Sequence, residues 1–473
     1  MAESEAKRGP EGPEPEPSPV LDSNDLLPVI LRRLPPRPSS LPCASLVCRR
    51  WRDLFASRNF LRDFRAFHRA ALPILGLFHN TYLGAPDRRF VAAVDPPDRV
   101  PASIFRMPCS RNHWSWRFLD CRHGRALLLG PMGPRSQVLV WDPMTGLRHC
   151  APPLPDAGDV RHGAVLCSCG PERDCRSSHF QVVLVWFKLG STHRRQAVAA
   201  VYSSESGAWS HIITVQAPFV STAGKAGKPG TLAGNAVYWL IPGSHILEFE
   251  TVRSNLALIS VPLHTAGSLY WQCQLVLIEA KELGLAMVTE VSIKLWKRDS
   301  TNDCGWSMYR SLQLNQCLPP RNWMQEQPSL LGFHEESNVI FVWIEAGVFM
   351  IQLESMQSRM LCQGVSDFEI YPFAGFYNKD DAAGAQAQAC EGAVEDMRGP
   401  TIRLPMESLT MWHYEDPQGE LHGPFTMVQL REWSIWSKYG FLTEDFRVWR
   451  TDETKEQAVL LADAMQSLAR FGS

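Results

Sequence analysis

Between residues 71 and 378 the chain repeats one local design, a short apolar run followed by a turn. "VLVW" at 138–141, "QVVLVWF" at 181–187, "AVAAVY" at 197–202, "AVYWL" at 236–240, "SIKLW" at 292–296, "NVIFVWI" at 338–344 and "GVFMIQL" at 347–353 carry the β-branched and aromatic content of strands. Turn signals such as "MTG", "ESG", "PGS" and "EAG" separate them. Runs this short and this numerous exclude a helical domain and predict one large all-β unit, a propeller or a large sandwich. The Trp residues from 141 to 343 are spaced 45, 23, 30, 32, 25, 10, 17 and 20 apart, so no fixed repeat period can be read. "WDP" at 141–143 does not by itself define a repeat.

Both flanks differ in character. Residues 1–19 are rich in Pro and Glu with almost no large apolar side chain, which predicts a disordered tail. Residues 379–404, beginning "KDDAAGAQAQACEGAVEDMRGP", have the same composition and are expected to be a linker. A formal net charge of -2 gives the whole chain no footprint for nucleic acid or anionic membrane, so neither is an expected partner. The first twenty residues lack an apolar signal region and no run of eighteen apolar residues follows, which places the expectation in the nucleus and/or cytoplasm. The 13 Cys at scattered spacings then read as mostly reduced thiols.

Residues 20–70 are helical in pattern. Leu26, Leu27, Ile30, Leu31 and Leu34 form one broad apolar stripe, ended by Pro35-Pro36. Pro28 falls inside that helix, where it costs stability if it lies beyond the first turn. Ala44, Val47, Cys48, Trp51, Leu54 and Phe55 trace a second apolar face among Arg residues. Ten Arg against four Asp give residues 21–70 a net charge of +6, more simply a solvated helix face than a nucleic-acid patch. The ordered series from "DLLPVILRRLPP" through "SLVCRRWRDL" to "FLRDF" closely resembles an F-box. That resemblance implies docking on a Skp-type adaptor and, through it, a cullin, with Leu26, Leu27, Ile30, Leu34, Pro35, Leu41, Val47, Cys48 and Trp51 as the adaptor contacts.

Residues 71–378 resemble, in order, the β-rich domain that follows the F-box in a large plant family, especially in grasses. "LPILGLF", "WRFLDCRHGRALLL", "VLVWDPMTGLRHCAPPLP" and "GNAVYWL" carry the likeness. The resemblance implies a propeller-like fold that captures substrate proteins. Chemistry is sparse here. His162, Cys167, Cys169, Cys175 and His179 cluster in sequence, but their spacing matches no usual zinc site, and a polar surface loop with incidental cysteines is the simpler reading. No G-x-S-x-G, P-loop or H-E-x-x-H motif is present, and Glu335-Glu336 sits in turn-like sequence. No catalytic residue, metal or cofactor is therefore expected, and the chain is not expected to be an enzyme.

Residues 405–470 contain "WHYEDPQGELHGPFTMVQLREW", followed by "FRVWRT" and "QAVLLADAM". Trp412, Tyr414, Asp416, "GPF" at 423–425, Leu430 and Trp433 make this segment similar to a GYF domain, a small α+β fold that binds proline-rich peptides on a bowl of aromatic rings. Such ligands are already extended and lose little entropy on binding. Trp412, Tyr414, Phe425 and Trp433 would line the bowl, with Trp436, Tyr439 and Phe441 as further ring positions. Spacing from "GPF" selects Trp433 as the hallmark Trp, whereas spacing back from "FRVW" selects Trp436, and both stay open. Together the resemblances imply a multidomain substrate receptor of an SCF-type ubiquitin ligase: small all-α F-box, large all-β propeller-like domain, small α+β GYF domain. A non-degradative scaffold for proline-rich proteins in chromatin or RNA metabolism is the alternative.

Overall fold

The computed structural model divides into two units, Met1–Gly392 and Ala393–Ser473. It describes residues 25–68, 72–80, 90–106, 116–130, 136–154, 158, 160–167, 179–189, 195–210, 212–217, 227–241, 245–262, 270–289, 292–299, 305–319, 328–363 and 369–376 of the first unit. In the second it describes 411–415, 421–426, 447–450, 453–461 and 463–464. The expected tail at 1–19 and linker at 379–404 lie outside the described residues. No helix among the described residues is long and apolar enough to cross a membrane.

The described residues of the first unit begin with four short helices: α1 (Leu26–Leu31), α2 (Ser40–Ala44), α3 (Arg49–Ala56) and α4 (Arg58–Phe67). Pro28 is the third residue of α1, within its first turn, where a backbone N–H has no helical acceptor, so no helical bond is lost. Leu27 and Leu31, one turn apart, point inward and join Leu41, Phe55, Phe60, Leu61 and Phe64 in one apolar core. Phe376, from the far end of the β region, completes it. Its ring lies 5.1 Å from that of Phe64, with the Arg65 guanidinium 5.5 Å from its centroid.

Six antiparallel sheets follow among the described residues. Blade one pairs β1 (Ile74–His79) with β2 (Phe90–Ala92). Blade two holds β3 (Arg117–Arg122), β4 (Arg125–Leu129), β5 (Val138–Trp141) and β6 (Arg148–Ala151). Blade three holds β7 (Val160–Cys167), β8 (Phe180–Leu189) and β9 (Arg195–Ser203), with β10 (Ala208–Trp209) and β11 (Ile213–Gln216) sharing the outer edge. Blade four holds β12 (Thr231–Ala233), β13 (Ala236–Ile241), β14 (His245–Glu250) and β15 (Asn255–Ser260). Blade five holds β16 (Cys273–Ile278), β17 (Glu282–Val288), β18 (Ser292–Arg298) and β19 (Trp306–Gln313). Blade six holds β20 (Ser329–His334), β21 (Val339–Ile344), β22 (Gly347–Gln352) and β23 (Ser358–Cys362). The last strand, β24 (Ile370–Ala374), returns to pair with β1, so the two ends of the β region share blade one.

The inner strands neighbour one another in ring order: β24 with β3, β3 with β7, β12 with β16, β16 with β20, and β20 with β24. A bond from Gly227 N–H to Arg161 C=O (3.0 Å) joins blade three to blade four. This is a propeller, and it explains why its strands are continuously apolar rather than alternating. Each sheet is packed on both faces. In "QVVLVWF", Val182, Leu184 and Trp186 pack in the cluster shared with blade two, while Val183 and Val185 pack in the cluster shared with blade four. Gly163 permits close approach of blades two and three, since a Cβ there would stand 2.9 Å from a Leu127 methyl.

The chain direction fixes the two ends of the ring. β1 starts and β24 finishes at the end bearing tight turns such as 123–124, 234–235 and 335–338, and the helices join there. Longer connections such as 217–230 and 261–272 join strands at the opposite end. In the second unit, β25 (Met411–Glu415), β26 (Leu421–Thr426), β27 (Arg447–Arg450) and β28 (Val459–Leu460) form one sheet in the order β26-β25-β27-β28.

Candidate functional site

The helical module is apolar on two faces and its core covers only one. Leu26 (49% exposed), Val29 (41%) and Ile30 (40%) remain on the outer face of α1, and Leu46 (77%) and Val47 (64%) project from the segment between α2 and α3. Pro35 and Cys48 are also exposed, while Leu34 and Trp51 are half-buried against the core. Leu27 and Leu41, expected among the adaptor contacts, are instead buried in the module's own core, because the stripe is wider than one helix face. Val29 and Leu46 were missing from the expected set. Their exposure depends on how the helices pack, which periodicity alone does not reveal.

This module is fixed to the propeller by a polar clasp as well as by Phe376. Ser39 donates both its backbone N–H (3.0 Å) and its hydroxyl (2.5 Å) to Asp98 Oδ1. Ser39 is the N-cap of α2, yet its side chain caps nothing there and is used for this long-range bond. Asp95, in the same loop, pairs with Arg359 of β23, tying blades one and six together. Ser39→Ala is expected to cost about 1 to 2 kcal/mol and to raise hydrogen exchange across residues 39–44, with the strands unaffected.

Charged side chains fill the propeller axis. Arg122, at the end of β3, bonds Asp120 Oδ2 (2.9 Å), Glu335 Oε1 (2.6 Å) and the Gly230 carbonyl (2.9 Å). Asp120 Oδ2 also accepts the Val165 N–H (2.9 Å), and Glu335 Oε1 accepts the Leu232 N–H (2.5 Å). One guanidinium and its two carboxylates thereby connect blades two, three, four and six. Burial pushes the Asp120 carboxyl up to about 6 against the pull of Arg122. Burial opposes the Arg122 charge, but Asp120 and Glu335 outweigh it and hold that group above the usual guanidinium value. The adjoining mouth is lined by Arg122, His123, His334, Glu336 and Pro372 among others.

Further along the axis Lys228 Nζ donates to the carbonyls of Cys273 (2.6 Å) and Leu330 (2.7 Å), bridging blades four, five and six. Burial lowers its pKa to about 7, with Cys273 and Glu369 acting in the opposite direction. The folded state therefore sheds this proton near pH 7, while the unfolded chain keeps it to the ordinary lysine value near 10.5. The unfolded chain binds more protons in that window, so stability rises with pH there, by at most about 1.4 kcal/mol per pH unit. Urea unfolding between pH 7 and 8.5 is expected to show this slope, and Lys228→Met is expected to remove it. His162 also departs from expectation: it is no surface-loop residue but a buried side chain of β7, its pKa lowered to about 4 by burial. Cys167 ends β7, and Cys169 and Cys175 lie outside the described residues. Among the described residues no group of His, Cys, Asp and Glu could hold a metal ion.

In the second unit Trp412 stands opposite Phe425 on β26 and Arg450 on β27. Trp412, expected to line the bowl, is buried in the sheet, and its indole N–H finds no hydrogen-bond partner among the described residues. Tyr414 is half-buried, beyond an irregularity in the β25–β26 register. The rings of His413 and Trp449 stack at 6.2 Å. Trp433, Trp436, Tyr439 and Phe441 lie outside the described residues, as does the choice between the two hallmark Trp positions.

A family model described as "F-box protein AT5G49610-like, beta-propeller" matches residues 117–377, more than half of the chain. The chain belongs to this family. An F-box domain model matches residues 23–63 and a GYF domain model residues 412–459, so this F-box protein carries all three modules. Its propeller begins before the matched span, since β1 and β2 complete blade one with β24. Among curated proteins it is 38% identical over 87 residues to the uncharacterized protein At5g08430 of Arabidopsis thaliana, covering 18% of this chain and 15% of that protein. It is 44% identical over 59 residues to zinc finger CCCH domain-containing protein 44 of the same plant, covering 12% and 4%. The chain thus spans a small fraction of the curated relatives it matches. Among solved structures, the periplasmic gluconolactonase PpgL of Pseudomonas aeruginosa aligns over 60% of this chain and 81% of that one, with 11% identity and a TM-score of 0.35.

Proposed function

We propose that this F-box protein is a substrate-receptor subunit of an SCF-type cullin–RING ubiquitin ligase, non-catalytic itself, acting in the nucleus and/or cytoplasm. The observation that carries the reading is the exposed apolar face of Leu26, Val29, Ile30, Leu46 and Val47 on a module whose core is already closed. Five apolar side chains on so small a unit suit burial in a Skp-type adaptor, which in turn contacts the cullin. Target proteins are recruited at the opposite end of the ring, where connections such as 217–230 and 261–272 join the strands. The GYF domain adds a second contact through proline-rich segments. Two weak sites on one chain raise affinity for a target that carries both determinants.

Affinity capture of the full chain with and without proteasome inhibition tests the reading. Adaptor and cullin should copurify in both cases, and targets should accumulate on inhibition. A chain ending at Gly392 should keep adaptor and cullin while losing proline-rich proteins. Capture of a folded full chain that never brings down cullin would overturn the ligase reading.

A further inference from the structure

The cations of this chain are distributed unevenly. Residues 8–187 contain 24 Arg and no Lys, whereas residues 188–473 contain 13 Arg and nine Lys. At the whole-chain ratio of ten Lys to 37 Arg, about five of those 24 would be Lys. Residues 298–378 hold no Lys either. On the structure these two stretches hold the helical module and blades one, two and six, together with β7 and most of β8 in blade three and β19 in blade five; Phe376 and Asp98 tie blade one to the helices, and Arg359 ties blade six to blade one.

The chemical difference between the two cations is nucleophilicity. A lysine amine, once neutral, can attack the thioester carbonyl that joins ubiquitin to a conjugating enzyme. An isopeptide bond forms, the C–S bond breaks, the enzyme's thiol leaves, and the amine proton passes to solvent. A guanidinium keeps the positive charge but stays protonated and is no acceptor. On the receptor reading, on which this rests, we infer that the described residues of the sector around the F-box are built without ubiquitin acceptors, and that among the described lysines of the first unit self-modification falls on Lys188 and Lys281; Lys7, Lys225 and Lys379 lie outside the described residues. Both are exposed, Lys188 near the end of β8 and Lys281 in the turn between β16 and β17. Lys228 is buried with its amine bonded to two carbonyls, Lys294 is half-buried, and the Lys297 amine is held by Glu282 at 2.8 Å.

The test is self-ubiquitination of the full chain reconstituted with a Skp-type adaptor, cullin–RING, activating and conjugating enzymes, ubiquitin and ATP. Remnants are mapped by mass spectrometry, and adaptor capture is measured in parallel. Wild type should carry remnants at Lys188 and Lys281 and none at Lys228, Lys294 or Lys297. Arg58→Lys, Arg62→Lys and Arg148→Lys keep charge at exposed positions. Combined, they should become modified and raise the conjugated fraction by at least about threefold. With adaptor bound, unmodified introduced lysines overturn this inference alone, and wild-type remnants at Lys228, Lys294 or Lys297 overturn the acceptor assignment. A folded chain that captures no adaptor overturns the receptor reading and this inference with it.

Discussion

Arg122→Ala is expected to lower the stability of the propeller by about 3 to 5 kcal/mol, the cost of leaving buried charges without their partner. Among the described residues Arg122 is the cation paired with both Asp120 and Glu335, and those side chains are only 2% and 16% exposed. Without it two carboxylates face each other at the axis, and the bond to the Gly230 carbonyl is lost as well. The thermal midpoint of the first unit should fall by on the order of 10 °C. Arg122→Lys keeps the charge but cannot reach three acceptors in a fixed fork, so it should recover only part of the loss. A midpoint within about 2 °C of wild type for Arg122→Ala would show that the axis contributes little to closing the ring.

The second large effect is on docking. Ile30→Asp with Val47→Asp places two charges on the exposed face of the helical module without touching its core, so the fold should be unchanged. Adaptor affinity should fall by at least about 100-fold, because each carboxylate must be desolvated against an apolar partner surface. Leu27→Ala and Leu41→Ala should behave oppositely. They remove core side chains and should cost about 2 to 5 kcal/mol of stability, with any loss of docking following from unfolding. Comparing thermal midpoints with adaptor capture separates the two classes. That separation is one the apolar stripe in the sequence did not provide.

Strand content was plain in the sequence because each strand is a compact apolar run between turn residues. The number of blades was not. Connections range from the two residues at 123–124 to the fifteen at 314–328 and the 24 at 93–116, and that variation erases any Trp period. Ring closure was equally hidden, since the β1–β24 pairing joins residues almost three hundred apart and backbone bonding leaves no mark on side-chain pattern. Glu335 shows the same limit from another side. Its neighbourhood is the turn that the sequence suggested, yet its function in the fold is set by Arg122, 213 positions away. In the helical module the family resemblance was legible, while the division of one leucine stripe into core and exposed members depends on packing against α3, α4 and Phe376. His162 was misread for a related reason. A histidine beside cysteines in a polar run suggests a surface loop, but the residue before Gly163 lies on an inner strand between two blades.

The most direct measurement is titration of the purified full chain with a purified Skp-type adaptor, with the Ile30→Asp, Val47→Asp variant alongside. Binding tighter than about 1 μM with a negative heat-capacity change, lost in the variant at unchanged thermal midpoint, is the result expected of apolar docking through this face. A folded wild-type chain that does not bind, or a variant that binds as tightly as wild type, would contradict it.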